Sequence, residues 1–272
     1  MKKRITQKFP FLLPLRQKQK QFCFYMKMKM DGNQYACNRD EHRLPYLCAS
    51  IKTPMYNYET GFDFKYQENK VFNLKLAALP INWLLIRPGE TFSFWKLVHQ
   101  ADKFISYKEG LTVVNGETIP AVGGGLCQLS NLLFQLFLHS PLTIVERKGH
   151  RIKEFPELSG DCVKGIDATI ADGWIDLKVK NNSEQTFQLG IYFDDTNING
   201  YLYSNEECKI RYEIENRNLR YYKENDTTVE KVEVWKKFIQ NDSGKLIKEE
   251  FVYENQCVIG YDLEKYGVNT LI

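Results

Sequence analysis

One cysteine lies where the sequence favours a reactive thiol. Cys127 follows the run Gly123, Gly124, Gly125 and Leu126, and it opens a stretch with the periodicity of a helix. The first N–H groups of a helix lack intrahelical acceptors, and the helix dipole adds partial positive charge at the same end. Because both effects stabilise a thiolate, they lower the pKa of a thiol placed there. We therefore predict that Cys127 is a nucleophile.

A histidine and an aspartate downstream could activate this thiol. His150 follows the first strand predicted after the helix, and Asp167 lies in the next one. An imidazole can take the thiol proton while a carboxylate orients the ring, so we predict Cys127, His150 and Asp167 as nucleophile, base and orienting residue. Backbone N–H groups near Gly125 or the Gln128 amide could bind the oxyanion. The order Cys, His, Asp is that of transglutaminase-like and papain-like sites, which is an analogy of order alone.

Each of these residues also has an ordinary structural interpretation. Free cysteine often packs as a small apolar group in a core. His150 could be a surface histidine, and Asp167 could cap a turn. Convergence of the three side chains in an open groove would favour an enzyme, either a Cys-His-Asp hydrolase or a transpeptidase. A sealed Cys127 with His150 elsewhere would favour a non-catalytic binding protein.

The helix that begins near Cys127 is the clearest predicted element. Its apolar residues recur with the spacing of one buried helix face, at Leu129, Leu132, Leu133, Leu136 and Phe137. A similar pattern predicts a helix over 71–79 that ends before Pro80. Alternating apolar and polar residues predict strands over 91–95, 142–147, 165–170 and 200–203, and hairpins over 174–192 and 232–253.

Together these elements predict an α+β fold. In it, the central helix that starts at the Gly-Gly-Gly-Leu-Cys-Gln run packs on a mostly antiparallel sheet, and a β-rich extension follows at the C-terminus. The aromatic share of 14% supports a high strand content. We predict a basic N-terminal region over 1–60, a core domain over 61–205 and the β-rich extension over 206–272.

The segment 1–30 carries basic side chains and no acidic one, although the whole chain has a net charge of only +3. Such an arm is either solvated and partly mobile or in contact with an anionic membrane surface. We expect no nucleic-acid partner. Met26, Met28 and Met30 alternate with lysines, which favours one face of a strand. The apolar run over 9–15 contains two prolines, so we expect neither a spanning helix nor a signal peptide there.

The seven cysteines are odd in number and widely spaced, and the sequence contains no Cys-x-x-Cys pair. Disulfide frameworks usually have an even number of cysteines, and structural zinc sites usually contain closely spaced cysteine pairs. We therefore expect reduced thiols, no metal and no other cofactor. The same pattern predicts a cytoplasmic protein, at most peripheral to the membrane.

Several phrases of the sequence are similar to those of the VanW family. They are RPGETFSFW at 87–95, GGGLCQLSN at 123–131, ERKGH at 146–150 and GIDAT at 165–169. They occur in the family's order across about residues 70 to 205, and weaker similarity extends over most of the chain. The resemblance implies an accessory role in vancomycin resistance of the VanB type, where precursor ends change from D-Ala-D-Ala to D-Ala-D-lactate. It does not imply that this chain performs that change.

The resemblance implies peptidoglycan peptides or precursors as ligands and leaves two functions open. One is a cysteine-dependent acyl-transferase or amidohydrolase, and the other is a non-catalytic protein that supports the resistance enzymes or binds a cell-wall precursor. The glycine run could hold the pyrophosphate of a nucleotide-linked precursor, although the lysine and spacing of the Walker loop are absent. The candidate substrate-binding residues, for which surface or turn roles are the alternative, are Gly123, Gly124, Gly125, Gln128, Arg87, Glu90 and Arg147.

Overall fold

A few helices pack among several small sheets. The computed structural model describes residues 10–114, 117–156 and 163–266. In these ranges the α-helices are α1 (Leu13–Met30), α2 (Lys65–Ala78), α3 (Phe94–Val98) and α4 (Cys127–Leu138). Short 3-10 helices lie at Pro10–Leu12 and Glu264–Tyr266. Helix α2 confirms the helix predicted over 71–79.

The strands are antiparallel apart from one parallel pair. The first sheet joins, in order, β1 (Tyr46–Pro54), β10 (Asn197–Ser204), β9 (Phe187–Phe193) and β2 (Leu85–Ile86). The second joins β3 (Thr91–Ser93), β8 (Lys178–Lys180) and β6 (Thr143–Glu146). The third joins β11 (Ile210–Glu224), β12 (Thr227–Gln240), β13 (Leu246–Ile259) and the parallel β7 (Ile152–Lys153). A hairpin pairs β4 (Glu109–Val114) with β5 (Glu117–Val122). The α+β class with mostly antiparallel sheets is confirmed.

Helix α4 lies at the centre of the hydrophobic core. It packs against β1 and β10 of the first sheet. Burying each large apolar side chain contributes about 1.5–3 kcal/mol to folding. The side chains predicted to form its buried face are all 0% exposed, namely Leu129, Leu132, Leu133, Leu136 and Phe137. The predicted central helix is therefore confirmed, and this packing fixes its N-terminal residue, Cys127, relative to the first sheet.

The C-terminal strands belong to the same core. Ile214 of β11 and Val234 of β12 are buried in the cluster that contains α4, and Tyr253 of β13 packs against it. The hairpin predicted over 232–253 is confirmed as β12 and β13. The strands after residue 205 therefore form a wall of the central body, and the boundary near 205 stays a prediction.

The strand predicted around Met26, Met28 and Met30 is wrong, because these residues lie in α1. Met28 is 4% exposed and Met30 is 72% exposed, so one side of the helix is buried. The Tyr25 hydroxyl donates to Asp172 at 2.6 Å, which attaches α1 to the rest of the chain. Over 13–30 the basic segment is thus a docked helix, while the basic residues at 2–8 lie outside the described residues. No helix in the described ranges combines the length and apolarity that a membrane crossing requires.

Three further strand predictions are wrong in whole or in part. Residues 165–170 form a loop. Residues 174–192 do not form a hairpin, because β8 pairs with β3 and β6 whereas β9 pairs with β10 and β2. The strand predicted over 91–95 stops at Ser93, where α3 begins. Alternation along the chain identifies a half-buried segment, but it does not identify the partner that the segment pairs with.

A disulfide joins β1 to the segment that precedes β11. Cys48 and Cys208 have Cα atoms 5.8 Å apart, although 160 residues separate them in sequence. The prediction of reduced thiols is therefore wrong at this pair, because the number and spacing of cysteines do not reveal which of them meet in the fold. Cys162 lies outside the described residues. The free cysteines of the described ranges are Cys23, Cys37, Cys127 and Cys257.

Asp176 connects β3, α3 and β8 inside the core. Its side chain is fully buried and accepts hydrogen bonds from the Ser93 hydroxyl at 2.6 Å, the Trp95 N–H at 3.1 Å and the Leu177 N–H at 2.9 Å. Burial raises the pKa of Asp176 to about 6, although the Ser93 and Trp95 hydrogen bonds act in the opposite direction. The ionised carboxylate therefore costs folding free energy that the protonated form does not.

This cost predicts a pH-dependent difference between the wild type and Asp176→Asn. The pKa in the folded state lies above the unfolded value of about 3.9, so the penalty is present above pH 6 and disappears as the pH falls toward 4. We expect the unfolding free energy of the wild type, relative to Asp176→Asn, to rise by about 2–3 kcal/mol between pH 7.5 and pH 4. Urea unfolding at several pH values measures this difference. A difference that does not change with pH would contradict the argument.

Candidate active site

Cys127 is the first residue of α4 and follows a turn made by the three glycines. Gly125 has a φ of +91°, in the left-handed region that side chains disfavour. A Cβ on Gly124 would collide with the backbone of Gly110, just inside β4. The glycines are therefore needed for the chain to turn sharply into the helix beside the β4–β5 hairpin.

Some backbone N–H groups of this turn form hydrogen bonds within the fold, and others have no acceptor. Those of Gly123 and Gly124 donate to backbone carbonyls, at 3.0 Å each. Those of Gly125 and Cys127 have no acceptor in the described ranges. Two of the three glycine donors are thus unavailable to a phosphate, which disfavours the pyrophosphate interpretation. The Leu126 N–H likewise has no acceptor in those ranges, and these three N–H groups are candidate donors to a developing oxyanion near the thiol.

Helix α4 also holds the loop that follows β7, over 163–170. The Ser130 hydroxyl donates to the carbonyl of Ala168 at 2.5 Å, and the Asn131 side-chain oxygen accepts the Ala168 N–H at 2.6 Å. The second turn of the helix therefore binds one residue of the loop through both of its backbone groups. This attachment places the neighbouring residues of the loop beside the N-terminus of α4.

His150 and Asp167 form a pair held by two hydrogen bonds. The Nδ1 atom of His150 lies 2.7 Å from one carboxylate oxygen of Asp167, and the His150 backbone N–H donates to the other at 2.5 Å. The His150 side chain is 33% exposed and that of Asp167 is 13% exposed. The carboxylate fixes both the position and the tautomer of the ring and leaves Nε2 for a second partner.

That second partner is Cys127. The interaction of the thiol with the His150 ring lowers the thiol pKa, and the sulfur lies 3.7 Å from the Thr169 hydroxyl and 4.0 Å from the Ile170 carbonyl. Cys127 as a whole residue is half-buried. The structure therefore brings together the three residues that the sequence suggested as a catalytic set, and it adds Thr169 as a neighbour of the sulfur.

The three titratable groups shift one another's pKa values in the directions of an ion pair. Burial by itself raises the pKa of the Cys127 thiol, but the hydrogen bond and the charge of His150 outweigh it and lower that pKa. Burial disfavours the imidazolium, yet the hydrogen bonds to Asp167 and Cys127 raise the pKa of His150. Burial also opposes ionisation of Asp167, and its bond to His150 lowers its pKa all the same. Each of these shifts acts in the direction that favours a thiolate–imidazolium pair over a neutral thiol and imidazole.

Arg147 supports the aspartate instead of facing a substrate groove. Its guanidinium donates to the backbone carbonyl of Asp167 at 2.5 Å and to the Asn255 side-chain oxygen at 2.8 Å. Tyr253 stacks under it, with 4.1 Å between the guanidinium carbon and the ring centroid. The Tyr253 hydroxyl also donates to the Gly165 carbonyl at 3.0 Å. Sequence analysis missed Tyr253 and Asn255 because both lie on β13, about a hundred residues beyond Arg147 along the chain.

A cavity of about 700 Å³ opens beside the set, and its wall includes His150, Asp167 and Gln128. Cys127 is not among the residues of this wall, although Gln128, the next residue, is. The Gln128 side-chain N–H donates to the Pro54 carbonyl at 2.5 Å, so that donor is already used. Arg87 and Glu90 do not line the cavity. They lie in the β2–β3 turn, where the Glu90 carboxylate accepts the Arg87 N–H at 2.8 Å.

No metal centre accompanies this site in the parts of the chain that the structure describes. Within residues 10–114, 117–156 and 163–266, no group of three or more His, Cys, Asp or Glu side chains gathers closely enough to share an ion.

Comparisons with known proteins agree with the resemblance seen in the sequence. Residues 69–203 match the family described as VanW like protein. The chain is 50% identical over 262 residues to the Vancomycin B-type resistance protein VanW of Enterococcus faecalis, covering 96% of this chain and 95% of that protein. It is 31% identical over 139 residues to the uncharacterized protein YoaR of Bacillus subtilis, covering 51% of this chain and 44% of that protein. No solved structure matches the chain. The chain belongs to the VanW family.

Proposed function

We propose that this chain is an accessory protein of VanB-type vancomycin resistance and that it acts as a cysteine-dependent acyl-transferase or amidohydrolase on peptidoglycan peptides or precursors. The resistance context is supported by the 50% identity to a protein named for vancomycin B-type resistance. The chemistry is supported by one observation, the position of Cys127 at the N-terminus of α4 next to the His150–Asp167 pair, which lines a cavity and whose imidazole lowers the thiol pKa. A structural cysteine does not require a charged, oriented imidazole next to it.

The proposed reaction begins with attack of the Cys127 thiolate on an amide carbonyl carbon. A C–S bond forms, and the carbonyl oxygen becomes an oxyanion that the free N–H groups of Gly125 and Cys127 bind. The imidazolium of His150 gives its proton to the leaving amine as the C–N bond breaks, which leaves a thioester on Cys127. Water or an acceptor amine then attacks the thioester, His150 takes the proton of that nucleophile, and the thiolate is released.

We further propose that the layout follows the transglutaminase-like or papain-like order of elements. The support is a cysteine at a helix N-terminus, a histidine after the next strand and an aspartate that orients it. In this chain the aspartate lies in a loop that is hydrogen-bonded to the helix. The proposed likeness therefore concerns the roles of the three residues and their order along the chain, and it does not include the pairing of the strands. A substrate reached from the cytoplasm would be a soluble or membrane-linked precursor.

The test is to incubate the protein with a synthetic peptidoglycan stem pentapeptide and to follow peptide and protein by mass spectrometry. We expect wild type to release a fragment and to carry a transient thioester, and Cys127→Ala to do neither. Cys37→Ala is the matched control, since Cys37 is free and exposed. If wild type and Cys127→Ala bind the peptide equally and neither converts it, the catalytic proposal fails and the binding-protein alternative stands.

A further inference from the structure

A lysine lies close to the nucleophile in the wall of the same cavity. Lys70 of α2 lines the cavity together with His150 and Asp167. Its aliphatic stem crosses the glycine turn, because a Cβ on Gly125 would collide with the Lys70 Cγ and lie 2.9 Å from its Cδ. Gly125 is two residues before Cys127, and two peptide units span at most about 7.6 Å. The stem of Lys70 therefore crosses the chain within two residues of Cys127.

The ammonium of Lys70 has no acidic partner in the parts of the chain that the structure describes. The other lysines of the cavity wall do have one. Lys52 lies 3.4 Å from Asp194, and Lys153 lies 2.9 Å from Glu230. Burial without a compensating charge lowers the pKa of Lys70 to about 8. A partly desolvated cation of this kind is stabilised when a ligand supplies an anionic group.

The rest of the wall offers what an extended peptide requires. Among the described residues, strand β1 pairs only with β10, at one edge, and its residues 50–54 line the cavity. Exposed strand edges bind peptides through backbone hydrogen bonds. The Thr53 hydroxyl and the Gln128 side-chain oxygen, both in this wall, are buried and lack hydrogen-bond partners among the described residues. These groups can satisfy their hydrogen-bonding capacity with the N–H and C=O groups of a bound peptide.

We propose that Lys70 binds the C-terminal α-carboxylate of a peptide that lies along the free edge of β1. Given the short path from Gly125 to Cys127, the bond that Cys127 attacks is then the last or last but one of that peptide. The substrate class is a peptide with a free C-terminus, and Lys70 determines that specificity. This inference rests on the proposed function, because it names the substrate of the same site.

The test measures binding rather than turnover, so that it does not depend on the catalytic step. Calorimetry on the Cys127→Ser protein compares acetyl-L-Lys-D-Ala-D-Ala with its C-terminal amide. We expect the amide to bind about 10- to 100-fold more weakly, as for the loss of one charge-assisted pair. Lys70→Met keeps an aliphatic stem over Gly125 and is expected to remove the difference between acid and amide. Lys52→Met, the matched control in the same wall, is expected to preserve it.

Three results would overturn the proposal. The first is equal or absent binding of the free acid and the amide to the Cys127→Ser protein. The second is an undiminished preference for the acid in a Lys70→Met protein whose urea unfolding matches that of the parent. The third is recovery of full binding affinity by a C-terminal amide peptide that carries a glutamate. That result would show that Lys70 binds a side-chain carboxylate instead of the C-terminal one. These three results concern binding only, so they do not depend on whether the wild type converts the stem peptide. The proposed function and the proposed role of Lys70 can therefore fail independently.

Discussion

Asp167→Asn is expected to slow turnover at Cys127 by about 10⁴-fold, the loss seen when the orienting carboxylate of a catalytic triad is replaced by an amide. The asparagine side chain has nearly the same shape but no charge to stabilise the imidazolium. Its amide can also present a donor to Nδ1 and so favour the other tautomer of His150. The rate of release of the stem-peptide fragment measures the effect, and the rate of alkylation of Cys127 by iodoacetamide at about pH 6.5 measures it without a substrate.

Asp172→Asn provides the matched control. Asp172 lies five residues beyond Asp167, and its carboxylate accepts hydrogen bonds from Gln21 and Tyr25 of α1. This substitution is expected to leave both rates within about twofold of wild type, because surface changes away from a site have small effects. Equal rates in Asp167→Asn and Asp172→Asn would show that the carboxylate of Asp167 does not support the thiol.

Removing the disulfide is expected to cost the most stability. Cys48 and Cys208 close a loop of 160 residues, and cross-linking a loop of that size restricts the unfolded chain by about 3–5 kcal/mol. We expect the double variant Cys48→Ala, Cys208→Ala to lose a free energy of unfolding in this range. Urea unfolding under non-reducing conditions measures it, with Cys23→Ala, Cys37→Ala as the control, because both of those cysteines are exposed and free.

The expectation fails if the two double variants unfold at the same urea concentration, or if thiol titration of the unfolded wild type finds Cys48 and Cys208 reduced. The pair also bears on where the protein works. Disulfides persist in oxidising compartments and are rare in the cytosol. The cytoplasmic location expected from the cysteine count stays a prediction, and a Cys48–Cys208 bond found in the isolated protein would count against it.

The parts of the fold that the sequence predicts are those that depend on local pattern. The apolar face of α4 is visible because its leucines recur at helical spacing, and the β12–β13 hairpin is visible because Asn241 to Gly244 is rich in turn formers. The candidate site is visible for the same reason, since a glycine turn before a helix marks Cys127. His150 and Asp167 followed from residue type and chain order, and the structure pairs these two side chains and places the His150 ring next to the thiol.

The parts that the sequence does not predict depend on contacts between distant segments. Asn255 and Tyr253 reach Arg147 from β13, and no local pattern marks a residue whose role is to hold another side chain. The loop around Asp167 resembles a strand in its alternation, but its hydrogen bonds go to the side chains of Ser130 and Asn131 on α4. The sequence does not predict the Cys48–Cys208 pair for the same reason, because 160 residues separate the two cysteines.

The central claim is that His150 holds the Cys127 thiol ionised at neutral pH, and the pH dependence of alkylation tests it most directly. Labelled iodoacetamide reports the thiolate fraction at Cys127, read by peptide mass spectrometry so that the other free cysteines do not interfere. Because the lowered pKa of Cys127 depends on His150, we expect wild type to react at pH 6.5 about 10²-fold faster than His150→Gln, whose thiol would titrate at or above the ordinary value of about 8.5. Identical profiles with midpoints near that ordinary value in both proteins would contradict the account.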